Sequence, residues 1–147
     1  MYKHILVPLD GSKMAERAIP YATELCKGAT TVTLFQVVHL PLPLAAPEVS
    51  LAVPMPGKDE LLQEARAYLG DIAAKLRPEG VNVKIAAVER DVVADAVVEY
   101  AAEHDISLIV MTTHGRSGLS RLVFGSVAES IVRHAPCPVL LIRTNED

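Results

Sequence analysis

With 147 residues, half of them hydrophobic, the chain has apolar surface for one compact domain, residues 1–147, and too little for two well-buried cores. Its 14 basic and 18 acidic residues give a formal net charge of −4. That balance argues against the broad basic face that nucleic acid or an anionic membrane requires, and the low aromatic content, with no Trp, argues against a base-stacking platform.

The remaining class evidence lies at the termini and cysteines. Cys26 and Cys137 are far apart and lack a CxxC spacing, so they read as reduced core thiols of a cytoplasmic protein. Met1-Tyr-Lys-His-Ile-Leu-Val-Pro enters a strand at once, without the apolar stretch and cleavage site of a signal peptide. No run approaches the roughly 20 apolar residues of a membrane span.

In chain order, Ile5 to Leu9 is a short apolar strand of the kind buried on both faces. A helix follows from about Ser12 to Lys27, with Met14, Ala18, Ala22 and Leu25 at helical spacing. Pro20 predicts a kink or a broken hydrogen bond inside it, and Gly28 is placed to end it. Thr31 to Val38 is β-branched and apolar, hence the second strand.

His39 to Gly57, with Pro41, Pro43, Pro47, Pro54 and Pro56, cannot be a continuous helix or a central strand. It is a long apolar loop leaving the carboxyl end of a strand, a place for a lid or a protein-partner surface. Leu61, Ala65, Leu69, Ile72 and Leu76 repeat as a second helix until Arg77-Pro-Glu-Gly80 breaks it. Val83 to Val88 is the third strand, and Val93, Val97, Tyr100 and Ala101 mark the third helix. Ser107 to Thr112, a helix from about Ser126 to His134, and Val139 to Ile142 complete the series. Strict alternation implies parallel pairing with right-handed crossovers, an open doubly wound α/β sandwich of five strands and four helices.

Two strand ends carry the chemistry. Asp10 closes the first strand, where it would accept a hydrogen bond from a purine or ribose, or neutralise a metal ion beside a phosphate; Ser12 reads as an N-cap. After the fourth strand, Gly115, Gly118 and Gly125 with Arg116 and Arg121 lead into a helix start, where backbone N–H groups and the helix dipole converge on a phosphate. A competing, ligand-free explanation is that Ser126 and Glu129 form a capping box. His114 reads as a semi-buried histidine. GxxxxGK[ST], GxGxxG after the first strand, GxSxG and HExxH are all absent, so the loop points to binding rather than catalysis.

Three segments together, Lys3-His-Ile-Leu-Val-Pro-Leu-Asp-Gly-Ser12, Thr113-His-Gly-Arg-Ser-Gly118 through Gly125-Ser-Val-Ala-Glu129, and His134-Ala-Pro-Cys-Pro-Val-Leu-Leu-Ile142, resemble the universal stress proteins of the UspA superfamily. The resemblance covers everything but the proline loop. It implies sheet order 3-2-1-4-5 and a homodimer formed by antiparallel pairing of the last strands, here Val139, Leu140, Leu141 and Ile142. The superfamily's ATP-binding branch has Gly, two residues, Gly, nine residues, Gly, then Ser or Thr; those places here hold Thr112, Gly115, Gly125 and Ser126, so three of the four match.

The resemblance further implies that Pro8, Leu9 and Asp10 line the adenine and ribose side and that Val37 contacts the base. Gly115, Arg116, Ser117, Gly125, Ser126 and Val127 would hold phosphates, and Asp10 would meet a nucleotide-bound magnesium ion indirectly. Thr112 in place of glycine would cost about 1–3 kcal/mol of binding where ribose needs close backbone approach, each 1.4 kcal/mol being tenfold, with added strain if the site needs positive φ. The leading reading is therefore an adenine-nucleotide-binding regulatory protein, binding ATP and acting as a cytoplasmic homodimer through partners. The alternatives are a dimeric interaction module without nucleotide, and a slow ATP hydrolase or phosphotransferase.

Overall fold

β1 (His4–Leu9) occupies the middle of the sheet because it is apolar toward both sides: Ile5, Leu6 and Val7 are completely buried. In a computed structural model, which describes residues 2–40, 56–115 and 125–145, β1 pairs with β2 (Thr31–Val38) on one side and β4 (Leu108–Gly115) on the other. β3 (Asn82–Glu89) lies outside β2, and β5 (Val139–Asn145) outside β4. All pairings are parallel and the order is 3-2-1-4-5.

The helices divide between the two faces. α1 (Lys13–Glu16), α2 (Ala18–Glu24) and α3 (Lys58–Leu76) cover one face, where Ala18, Ala22, Leu69 and Ala73 pack on Val7, Val32, Leu34 and Val110. α4 (Val93–Glu103) and α5 (Ser126–His134) cover the other, with Val97, Ala101 and Ile131 on Leu6, Phe35 and Ile109. Crossovers from β1 to β2 to β3 use the first face, and those from β3 to β4 to β5 use the second. The winding therefore reverses between β1 and β4, which leaves a crevice at the carboxyl ends of those two strands.

The first helix departs from the continuous Ser12–Lys27 expectation. It is two pieces broken at Arg17, and Pro20 is the reason: without an N–H it cannot bond the Glu16 carbonyl, yet as the third residue of α2 it needs no donor. α2 also stops at Glu24, capped at Leu25, so Gly28 (φ +59°) sits in the turn toward β2 and not at the helix end. β4 runs to Gly115 and β5 to Asn145, beyond the expected ends at Thr112 and Ile142, because the two strands keep pairing through Thr113↔Arg143, His114↔Thr144 and Gly115↔Asn145. Arg77–Glu79 is a 3₁₀ turn closed by Gly80 at φ +89°, the break that Arg77-Pro-Glu-Gly80 foretells.

Cys26 and Cys137 are both free, half-buried and packed in the clusters on opposite faces; burial pushes both thiols up. No helix among the described residues is long and apolar enough to cross a membrane. The proline loop, residues 41–55, lies outside the described residues.

Candidate functional site

A cleft of about 350 Å³ opens in the crevice between β1 and β4. One wall is the end of β1 and the turn after it, with Pro8, Leu9, Asp10 and Ser12; opposite stand Met111, Thr112 and Thr113 of β4. Met14 and Ala15 of α1 close one side, and Val93 of α4 with Gly125, Ser126, Val127 and Ala128 of α5 close the other. The volume sits at the low end of small-molecule sites.

The β1 wall is held by local polar bonds. Asp10 Oδ1 accepts the backbone N–H of Ser12 at 2.9 Å and its hydroxyl at 2.6 Å, while Ser12 Oγ accepts the N–H of Ala15 at 3.1 Å. Ser12 is thus the N-cap expected of it, and Gly11, at φ +88°, makes the turn between them. Both bonds to Asp10 use Oδ1, so its second oxygen has no hydrogen-bond partner among the described residues. Behind this wall the Tyr68 hydroxyl donates to Glu16 Oε2 at 2.9 Å, tying α3 to α1. Burial, then the Glu16 bond and the charges of Glu16 and Asp10, hold the Tyr68 phenol far above its usual range.

The α5 wall corrects the capping-box expectation. The N-cap is Gly125 (φ 81°, ψ 155°), which has no side chain to bond the helix, and Ser126 is the first helical residue. Glu129 reaches forward instead, to Arg133 at 2.8 Å. The Gly125 carbonyl accepts from Glu129 at 3.0 Å, so the helix begins normally while its first N–H groups have no capping side chain among the described residues. These groups belong to cleft-lining residues, and they carry the positive end of the helix dipole.

Most of the expected site residues meet here. Pro8, Leu9, Asp10, Thr112, Gly125, Ser126 and Val127 all line the cleft. Gly115 ends β4 and is not among the lining residues. Arg116 and Ser117, with Gly118 and Arg121, lie outside the described residues. Val37 does not line it: on the pleat it faces the α4–α5 side, packed with Phe35 and Val88.

Thr112 has an ordinary strand backbone, in register with Ile142, and the single non-glycine residue with positive φ among those described is Asp105. Strain at Thr112 is therefore absent, and what it brings to the cleft is a β-branched side chain. Sequence reasoning missed Met14, Ala15, Val93, Met111, Thr113 and Ala128, all apolar or small except Thr113, because such residues look like core until the strand order puts their ends together. Gln36, one strand away and paired with Leu9, is not among the lining residues; its buried Oε1 has no hydrogen-bond partner among the described residues. Among the described residues no three His, Cys, Asp or Glu side chains converge as a metal site.

A doubly wound sheet with a helix N-terminus and an apolar wall at its switch point defines an α/β fold with a crevice at the carboxyl ends of its central strands. The profile of the universal stress protein family matches residues 1–143, and the chain belongs to that family. A universal stress protein of Methanothermobacter thermautotrophicus is 36% identical over 148 residues, 98% of this chain and 97% of the relative. Among solved structures, the hypothetical protein MJ0577 superposes with a TM-score of 0.78 at 27% identity, covering 100% of this chain and 99% of the other. A universal stress protein solved in complex with cAMP has a TM-score of 0.67 at 24% identity, covering 96% and 97% of the two chains.

Proposed function

We propose that this chain binds an adenine nucleotide, ATP above all, in the β1–β4 cleft, and that it acts as a cytoplasmic regulatory protein by presenting its loaded state to partners. The observation that carries the reading is the start of α5: a glycine N-cap, which makes no side-chain cap bond, puts the first backbone N–H groups of the helix at the wall of a mainly apolar cleft, with no capping side chain among the described residues. Such a cleft suits a ligand with an anionic end and a flat apolar end. A universal stress protein with the same fold has been solved in complex with cAMP, in agreement with this reading.

Phosphates would lie at Gly125, Ser126 and Val127 with the segment following Gly115, and the base and sugar toward Pro8, Leu9 and Asp10. A magnesium ion carried with ATP would add charge neutralisation at the phosphates; Asp10, with one oxygen uncommitted, is the carboxylate available to its water shell. Ser12 is engaged as cap and donor, which favours binding over turnover. Calorimetry with ATP, ADP and AMP in the presence of magnesium tests the reading: heat that disappears in Gly115→Val supports it, and no heat with any of the three removes it.

Assembly is the second part of the proposal. β5 is an edge strand whose Leu140 is 36% exposed, and such an edge is a ready template for another chain. Two copies would pair antiparallel through Val139, Leu140, Leu141 and Ile142, with the 39–57 segment left for protein partners. Light scattering that finds a monomer at micromolar concentration would overturn the homodimer.

A further inference from the structure

At the amino end of the sheet, away from the cleft, His4 joins the strands to α4. Its backbone is clamped within the sheet: the Ser107 N–H donates to the His4 carbonyl at 2.8 Å, and Ser107 Oγ accepts the His4 N–H at 3.0 Å. Its ring lies on the face of Leu6, two residues on, which packs against α4. Nε2 is 2.6 Å from Thr33 Oγ1 of β2, Thr33 also bonds the Tyr100 hydroxyl of α4, and the ring bonds the backbone of His104, which caps that helix. A bond to a backbone carbonyl uses a ring N–H, so the nitrogen facing Thr33 is the bare one. It accepts from the Thr33 hydroxyl, and Thr33 Oγ1 accepts from Tyr100. The Tyr100 and His104 rings stack with centroids 3.8 Å apart, so the whole last turn of α4 leans on this relay.

The relay has no place for a second proton. A protonated ring would aim an N–H at Thr33 Oγ1 and force that hydroxyl to give up its own donation. Its charge would face Lys84 of β3 and His104 of α4, both basic; Thr33 of β2 and Tyr100 of α4 offer no negative charge, and no carboxylate acts on the ring among the described residues. The helix is the side that yields. β1 is central and clamped by Ser107, whereas α4 runs into Asp105 at φ 52°, a left-handed conformation that persists where its surroundings hold it. α4 also reaches the cleft: Val93 lines it, and Val97 and Ala101 share a cluster with Ala128 and Ile131 of α5, whose first turn is a cleft wall. We infer that His4 is a proton-operated latch, which holds the C-terminal end of α4 on the sheet when neutral and, when protonated, releases that end and slackens the α5 wall, so that acid weakens the cleft's hold on its ligand. Burial lowers the pKa of the ring, so the end of α4 is fully held above the ordinary value of about 6.5 and is let go as pH falls through the lower docked value. The identity of the ligand rests on the nucleotide reading; the latch does not.

Hydrogen exchange at pH 7.5 and 5.0, corrected for intrinsic rates, with an NMR titration of the histidine rings, tests it on the wild type, His4→Gln and His104→Gln. In the wild type the His104 and Ile106 amides, bonded to the Tyr100 and Ala101 carbonyls, are expected to lose protection at least about tenfold at the lower pH, with the midpoint of the His4 titration. The Glu129 amide, bonded to Gly125 at the cleft wall, should follow by about threefold, while Ile5 to Leu9 stay protected. His4→Gln can accept from Thr33 and donate to the His104 carbonyl without titrating, and it should hold protection at both pH values; His104→Gln should keep the transition. ATP affinity should fall at least about fivefold more in the wild type than in His4→Gln, the variant correcting for titration of the phosphates. Loss spread evenly over the sheet, protection kept while His4 titrates, or a transition that survives in His4→Gln overturns the latch. Protection at Glu129 that does not change overturns its link to the cleft. Absence of ATP binding at both pH values removes the nucleotide reading, and exchange at His104, Ile106 and Glu129 still decides the latch and its link.

Discussion

Asp10 and Ser12 are locked to each other by two bonds to one carboxylate oxygen, at 2.9 Å from the Ser12 N–H and 2.6 Å from its hydroxyl. The same hydroxyl caps α1 through Ala15, so one short turn fixes both the position of the carboxylate at the cleft and the start of the helix beside it. Ser12→Ala removes the cap and one of the two anchors of Asp10 at once. It is expected to cost about 1 kcal/mol of stability, read as a lower urea midpoint with unchanged slope, and to weaken ATP binding as Asp10 loosens. Ser12→Asn should restore most of the stability, because it caps equally well.

Gly125 holds φ 81° and ψ 155°, a region essentially reserved for glycine. A Cβ there would meet nothing within 4 Å, so the cost of Gly125→Ala is conformational and not steric. Stability is expected to fall by about 1–3 kcal/mol, measured by chemical denaturation. If the backbone rotates to escape the strain, the first N–H groups of α5 turn from the cleft, and ATP affinity should drop about tenfold or more.

Thr112 stands where the nucleotide-binding pattern has glycine, with an unstrained strand backbone and a side chain at the cleft wall. Removing that side chain is expected to deepen the cleft: Thr112→Gly should bind ATP about tenfold more tightly in calorimetry. The strand pays in propensity, about 1 kcal/mol. Thr112→Val keeps the bulk and deletes the hydroxyl, and its affinity should match wild type.

His4 predicts a pH dependence far from the cleft. Its Nε2 lies 2.6 Å from Thr33 Oγ1 in a part-buried setting. Burial lowers its pKa, outweighing the bond to the His104 backbone that raises it, and the charges of Lys84 and His104 lower it further. The unfolded chain therefore takes up the proton first, near the ordinary histidine value of about 6.5. Stability is complete above that pH and is lost as pH falls through it toward the folded value. Urea midpoints at pH 7.5 and 5.5 are expected to differ in that direction, and His4→Gln should flatten the difference.

The fold was legible because each strand is a short stretch rich in apolar and β-branched residues and the helices repeat at their own period. Parallel pairing followed from alternation alone, whereas the order 3-2-1-4-5 came from the motif resemblance. Boundaries were less legible where neighbours decide them: β4 extends through Thr113 and His114 because β5 pairs alongside, and α1 ends at Glu16 because Pro20 withholds a donor four residues on. The cleft's polar residues announced themselves as punctuation at strand ends. Ser126 misled, since a Ser three residues before a Glu satisfies the capping-box pattern while Gly125, with its positive φ, takes the cap. Val37 lies outside the cleft lining because the alternation of the pleat sets its side chain on the face of Phe35 and Val88.

β1 lies between β2, which follows it directly in the chain, and β4, whose pairing joins Ile5 to Leu108 and Leu6 to Ile109. A growing polypeptide thus exposes one flank of its central strand until more than a hundred further residues have been made. Neither Asp10 nor its turn can meet Gly125 before that closure, so the capacity to hold a ligand waits for α5 and arises all at once. A ligand that binds only then would act as a seal on the finished sheet, and a pulse-labelled, stalled chain ending near residue 110 should be retained by no nucleotide resin.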